Sequence, residues 1–390
     1  MATINVIKKK GHPLWAGRNK YAVDYWLVLT AGALLVFGLL MVYSTTFDPG
    51  FLYKGDSTYY LTRQLGAMGI GLVAIIVLMQ FDYHVLRYVS VPVLLGTCAI
   101  LAVMLIVGKP DEYGAVRTLS AGSYQPSELA KLATILYIAH WLDSKGERIK
   151  NINYGLVPFS MIIGVMFALI VRQPALSTAI LIVMINFTLF FVAGADLKQA
   201  AVVGGLALIV SVIMMLTLSH ASQRIDSFMA TLRDPQQASY QVLQSFAALA
   251  NGGWFGVGLG QGNQKFGPLP LAHTDSVFAT VGEELGLLGT VSVVVLFGIL
   301  AWRGFLVASR ARDTYGFLLA VGVTVWIAYQ ALINVAVITA VMPFTGMPMP
   351  FLSYGGSSMV MVLIGIGVLL NVSRDAALGR HASRRQPGAN

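Results

Sequence analysis

Cysteine is nearly absent: Cys98 stands alone in 390 residues, which excludes an intramolecular disulfide and any cysteine-built metal cluster. Inside its apolar run it reads as a small buried residue. Charge is scarce too. Charged residues make up 11% and hydrophobic residues 56%, against about 25% charged in a typical soluble domain, so an ordinary soluble fold is excluded. There is no internal repeat and no low-complexity tract beyond the polar end HASRRQPGAN, which is expected to be disordered. The first apolar run, 26–45, is expected to be a retained span, because it lacks a small-residue cleavage site and is too long for a signal-peptide core.

What is present is a series of runs near the length of about 20 residues that a spanning helix needs. They fall at 26–45, 64–81, 86–107, 127–142, 155–171, 176–194, 199–220, 277–302, 316–342 and 355–373. The expected fold is an all-α polytopic membrane protein of about ten transmembrane helices. A formal charge of +9 raises the question of nucleic acid, and the placement of the charges answers it. An even number of spans puts both termini on one side; that side collects 17 of the 26 Lys and Arg, the other side 8, and Lys131 lies within a span. Both termini are therefore expected in the cytoplasm, and no nucleic-acid partner is expected.

On this plan a cytoplasmic tail covers 1–25, a single membrane domain 26–373 and a basic cytoplasmic tail 374–390. A large extracytoplasmic loop, 222–276, separates the seventh and eighth spans; loops of that length are usually functional or partly structured. Within it, Ser239–Gly253 carries Val242, Phe246 and Leu249 at helical spacing before a glycine stop. A short helix in or near the outer interface is expected there.

Three polar clusters interrupt the apolar chain. KFGPLPLAHTDSVFATVGEELGLLG, 265–289, puts Lys265, His273 and Asp275 into one loop and carries Glu283 and Glu284 into a hydrophobic run. It reads as a polar turn before a helix capped by Thr274 or Asp275, or as a reaction centre at a membrane surface. GAVRTLSAGSYQPSELAK, 114–131, has Pro126 where a helix would begin, with Glu128 and Lys131 three apart on one face. Those two charges either pair with each other or, with Arg117, line a basic site for an anionic headgroup. In QALINVAVITAVMPFTGMPMPFLSYGGSS, 330–358, three prolines and three glycines between Pro343 and Gly356 rule out a continuing helix. Irregular backbone at that depth is a re-entrant turn buried in protein or a cavity lining, and Ser353, Tyr354, Ser357 and Ser358 supply hydroxyls to either. The alternate glycines of GVGLGQG, 256–262, lack the flanking strand of a dinucleotide fingerprint and suit a segment where backbones pack closely.

In this order, Gly114, Ala115 and Arg117 with 125–131, Arg224 and Ile225, Tyr240, Gln241, Gln244 and Ser245, GVGLGQG, LPLAHTDSVFATVGEELGLLG and MPMPFLSYGGSS resemble the SEDS family of shape, elongation, division and sporulation proteins. AHTD followed by GEELG, with GMPMPFLSYGGSS, looks closer to the division branch than to the elongation branch. The resemblance implies a peptidoglycan glycosyltransferase that polymerises lipid II outside the cytoplasmic membrane without a nucleotide. It implies as partners a class B penicillin-binding protein transpeptidase and other divisome proteins. The family's essential loop aspartate maps onto Asp275, and its functional basic residues onto Arg117 and Lys131. Lys265, Glu128, His273, Ser353 and Tyr354 join them as substrate-binding candidates from the polar clusters. The chain departs from the family pattern where Ala175 replaces an acidic residue, Thr118 a tryptophan and Ser276 a phenylalanine.

In the implied reaction a sugar 4-hydroxyl displaces polyprenyl pyrophosphate. Glycoside hydrolysis generally needs two carboxyls because an alkoxide leaves poorly; pyrophosphate leaves as a stable anion, so one base and a cationic clamp suffice. Asp275 suits the base, since the start of a helix favours its anionic form, and Arg117, Lys131 and Lys265 would neutralise the pyrophosphate. Glu283 and Glu284 lie roughly 12 Å deeper along the helix, too far to partner Asp275, and are read as orienting a neighbouring helix or organising Lys131. A divalent cation fits this chemistry, although no ligand spacing calls for one. Two other classes share these features: a lipid II flippase with a charged headgroup pathway, and a non-catalytic scaffold of a cell-wall synthase. The concentration of polar clusters on one face favours the enzyme.

Overall fold

The computed structural model describes residues 23–107, 125–173 and 175–384; Arg117 and Thr118 lie outside the described residues. Twelve α-helices follow one another, and no strand occurs among the described residues. They are α1 (Tyr25–Lys54), α2 (Tyr59–Leu78), α3 (Leu86–Val107), α4 (Pro126–Lys145), α5 (Val157–Val171), α6 (Leu176–Val192), α7 (Leu197–Thr217), α8 (Ser219–Arg233), α9 (Tyr240–Gly252), α10 (Val277–Ser309), α11 (Thr314–Ile338) and α12 (Gly356–Arg384).

Local chemistry sets several of these ends. The Asp24 carboxylate accepts the Leu27 N–H at 3.1 Å and starts α1, which stops at Gly55 in the left-handed region, φ 71°. Pro126 opens α4, where its missing N–H costs nothing. Among the described residues, eight helical stretches are long and apolar enough to cross a membrane, namely α1, α2, Tyr83–Ile106 containing most of α3, Ile152–Val171 containing α5, Leu197–Met214 of α7, α10, α11 and Gly356–Ala376 of α12. The apolar α6 is shorter at 17 residues, and α4 carries Glu128, Lys131, Asp143 and Lys145. A helix thus stands at every span expected from the sequence, and the chain is a multi-pass membrane protein. The expected long loop holds two helices, α8 and α9. The second does not stand apart: it packs on α10, and Gln241 near its start donates to Ser276 Oγ at 3.0 Å.

The helices α11 and α12 form the centre, with 78% of their apolar windows buried against 17% for α2 and α7. Lipid is as apolar as leucine, so such a centre rests on close packing and interhelical polar contacts more than on the hydrophobic effect. At one end of the bundle Arg303 of α10 pairs with Asp24, whose N–H donates to Ser373 Oγ of α12 at 3.0 Å. There too Asp313, capping α11 through the Gly316 N–H at 3.1 Å, accepts from Tyr83 (2.6 Å), His84 (2.9 Å) and Arg87 (3.0 Å). The candidate site lies at the opposite end.

Candidate functional site

The site begins with a break in α10. Gly286 has φ 66° and ψ −161°, outside the helical region, so the carbonyls of the preceding turn lose their normal partners. The glycine-rich loop supplies new ones: Val257 and Gly258 donate to the Glu283 and Glu284 carbonyls, each at 3.0 Å, while Leu287 N–H donates to Gly253 O at 2.9 Å. Such contacts need bare backbone on both sides. A Cβ on Gly286 would lie 2.4 Å from Gly256 N, and one on Gly256, itself at φ 80°, would lie 2.1 Å from Glu284 O. The close backbone packing expected of GVGLGQG is therefore met.

The two glutamates hold the same loop. Glu283 Oε1 accepts from Asn263 N (3.0 Å) and Gln264 N (3.2 Å), and Glu284 Oε2 accepts from Gly260 N (3.0 Å). Glu284 Oε1 pairs with Lys265 Nζ at 2.6 Å and accepts from Ser44 of α1 at 2.6 Å. Of the two roles expected for the glutamates, the link to Lys131 does not form, whereas Glu284 does meet a neighbouring helix, α1, through Ser44; the loop folds back to the level of Glu284 and brings Lys265 with it.

Above this anchor the chain turns through 268–276 towards α10. The N-cap of α10 is Ser276, just past the expected Thr274 or Asp275, and it makes no side-chain cap bond; its hydroxyl donates to Pro270 O at 3.1 Å. Instead, three consecutive carbonyls are held from the α11–α12 side. His273 O accepts Tyr354 N at 2.8 Å, Thr274 O accepts Ser353 Oγ at 2.5 Å, and Asp275 O accepts Asn334 Nδ2 at 2.9 Å. Within the irregular backbone 339–355, the stretch 347–353 is therefore mostly buried against protein, as its depth requires, while Val341 and Met342 are exposed. Leu271 and Phe351, neither a glycine, have φ of 52° and 66°, a left-handed conformation that persists only where surrounding contacts fix it.

Asp275 is half-buried, and a Cβ on Gly346 would lie 3.1 Å from its Oδ2. The carboxylate thus faces the α11–α12 loop. Beside it the His273 ring lies 6.0 Å from Tyr60 and 6.1 Å from Tyr354, and burial holds its imidazole below the ordinary value. Asp275, His273, Ser353 and Tyr354 are brought together.

Lys131 lies under this layer, not in it. It is 1% exposed, pairs with Glu128 Oε1 at 2.7 Å and donates to Gln330 Oε1 at 2.8 Å. Gln330 Nε2 continues the chain to Pro348 O at 2.8 Å. Glu128 Oε2 is buried with no hydrogen-bond partner among the described residues. The two cations at Lys131 and Lys265 are thus committed to carboxylates. No group of three or more His, Cys, Asp or Glu side chains suited to a metal ion occurs among the described residues.

Residues 25–378 match the cell cycle protein family of FtsW, RodA and SpoVE. The chain belongs to the SEDS family. It is 36% identical over 359 residues, 91% of this chain and 98% of the relative, to "probable peptidoglycan glycosyltransferase FtsW" of Geobacter sp. (strain M18). To stage V sporulation protein E of Bacillus subtilis (strain 168) it is 39% identical over 363 residues, 91% and 98% of the two chains. Among solved structures it is similar to a chain of "Structural coordination of polymerization and crosslinking by a peptidoglycan synthase complex", with TM-score 0.75, 29% identity and 91% and 99% coverage. Thermus thermophilus RodA gives TM-score 0.67 at 25% identity, with 91% and 98% coverage. The higher identities fall on FtsW and sporulation relatives, in keeping with the likeness of the AHTD and GEELG motifs to the division branch.

Two of this SEDS chain's departures from the family pattern have visible consequences. Ser276 uses its hydroxyl inside the 268–276 turn, as above. Next to Ala175, Ser177 Oγ donates to Thr345 O at 3.1 Å, so this segment reaches the α11–α12 loop through a hydroxyl. Gln330 and Asn334 are the residues that sequence reasoning did not single out. The available signal was a carboxamide four residues from another within an apolar span, where polar groups are rare and usually paired.

Proposed function

We propose that this chain is a peptidoglycan glycosyltransferase that polymerises lipid II on the outer face of the bacterial cytoplasmic membrane, serving septal wall synthesis in division. The observation that carries this reading is Asp275: a half-buried carboxylate on a turn whose three carbonyls at 273–275 are each held by the neighbouring loop or helix. A base needs that kind of fixed placement, because near-attack geometry tolerates little displacement.

In this reading Asp275 takes the proton from the 4-hydroxyl of the acceptor sugar as that oxygen attacks the anomeric carbon of the donor. Polyprenyl pyrophosphate leaves as an anion and needs no proton at that moment. His273, neutral near pH 7 because burial lowers it, contributes a hydrogen bond and no charge. Lys131 and Lys265 are largely neutralised by Glu128 and Glu284, so they organise the walls of the site, and Arg117 carries the direct pyrophosphate contact. Both termini lie in the cytoplasm by the basic-residue bias. The name of the synthase complex that shares this fold supports a partner that cross-links the strands, a class B penicillin-binding protein.

The test is to supply labelled lipid II to the purified protein with its penicillin-binding partner and resolve the products by gel. Glycan strands are expected. Lipid II that crosses liposome bilayers with no strand formed under any partner condition would overturn the reading in favour of a flippase.

A further inference from the structure

We infer that Asn334 of α11 is a positioning residue for Asp275, and this rests on the reading of Asp275 as the base. One amide nitrogen serves two loops. Asn334 Nδ2 donates to Asp275 O at 2.9 Å and to Met347 O at 2.7 Å. Both partners are carbonyls, which can only accept, so the orientation of the amide is fixed by chemistry: the NH₂ faces the loops and Oδ1 faces away. That oxygen is buried and has no hydrogen-bond partner among the described residues, in a residue only 2% exposed.

The orphaned oxygen separates positioning from stability. A buried acceptor without a partner is unfavourable, so the residue gives back much of what its two donated bonds contribute. An apolar side chain would avoid that penalty but leave the Asp275 and Met347 carbonyls without this donor, so on stability the gain and the loss largely offset. What asparagine adds is therefore placement: it fixes the 268–276 turn and the 339–355 loop to α11, the helix that shares with α12 the greatest burial in the bundle.

The other two ties do not replace it. Tyr354 N and Ser353 Oγ hold His273 O and Thr274 O, but both belong to the 339–355 loop, which is itself irregular. They join the turn to the loop. Gln64 of α2 holds the Gly355 N–H, Ser177 of α6 holds Thr345 O and Gln241 of α9 reaches Ser276 Oγ, none of these contacts being at Asp275 or Met347. Asn334 and, one turn earlier on the same helix, Gln330, which donates to Pro348 O at 2.8 Å, tie the two segments to the backbone of α11. Of these two amides, Asn334 is the one that touches the residue carrying the carboxylate.

The test compares wild type with Asn334→Leu, which keeps an apolar fill and removes both donors, and Asn334→Gln, which keeps the donors on a longer stem. Lipid II polymerisation is measured beside the penicillin-binding partner, with melting temperature and hydrogen–deuterium exchange followed on the same samples. In Asn334→Leu, kcat should fall about 10- to 100-fold, as expected for a misplaced reacting group, with KM changed less than about threefold. Exchange should rise in 268–276 and 340–355 only, with melting preserved; Asn334→Gln should recover part of both effects. Unchanged kcat and exchange would overturn the proposal, as would a loss of rate that tracks lowered melting and raised exchange throughout the chain. If wild type forms no polymer, the reading of Asp275 as a base fails, while confined exchange in the variant still establishes Asn334 as the tie between the two loops.

Discussion

Lys265 Nζ lies 2.6 Å from Glu284 Oε1, with both side chains at 2% exposure or less, and Ser44 Oγ completes the contact at 2.7 Å from Lys265. One ion pair thus joins α1, the glycine-rich loop and the broken turn of α10. Removing one member of a buried pair strands the other charge, a loss of about 3–5 kcal/mol. Lys265→Met should lower the melting temperature in detergent sharply. Glu284→Gln added to it should restore much of the loss, because no charge is then left unpaired.

The break at Gly286 predicts a second sensitive point. Gly286→Ala would force a side chain into φ 66° and against Gly256 N at 2.4 Å. The backbone strain alone is about 1–3 kcal/mol, and the contact with main chain cannot be relieved by a rotamer change. Yield and melting temperature should both fall. Gly298→Ala is the control, since a Cβ there meets nothing within 4 Å, and it should melt like wild type.

At the opposite end, Asp313 caps α11 through the Gly316 N–H and accepts from Tyr83, His84 and Arg87. Losing a cap alone costs about 1 kcal/mol, and three donors would lose their acceptor as well. Asp313→Ala should therefore lower the melting temperature in detergent, and Asp313→Asn, which keeps a capping oxygen, should lose less.

Much of this architecture was legible in the chain. Runs of about 20 apolar residues locate spans because lipid leaves backbone groups no alternative to the helix, and Pro126 marks the start of α4 because its missing N–H costs nothing there. The pairing of Glu128 with Lys131 was one of two readings open from their spacing. What could not be read was the path of connecting backbone. Helix rise correctly placed Glu284 well below Asp275, yet nothing in the spacing showed that 253–266 descends to meet it, so Lys265 looked available to substrate when it is bound to Glu284. Asn334 was hidden because its partners are backbone carbonyls, which every residue has.

On the proposed reading Asp275 is the base, and its carbonyl carries the tie to Asn334. Asp275→Asn keeps that carbonyl and its tie while losing the proton acceptor, with base catalysis contributing about 10²- to 10⁴-fold. The decisive measurement is the rate of lipid II polymerisation by purified Asp275→Asn beside wild type, each with the penicillin-binding partner and each checked for equal melting temperature. A drop of about 100-fold or more at unchanged melting is expected; polymerisation at the wild-type rate would rule out Asp275 as the base.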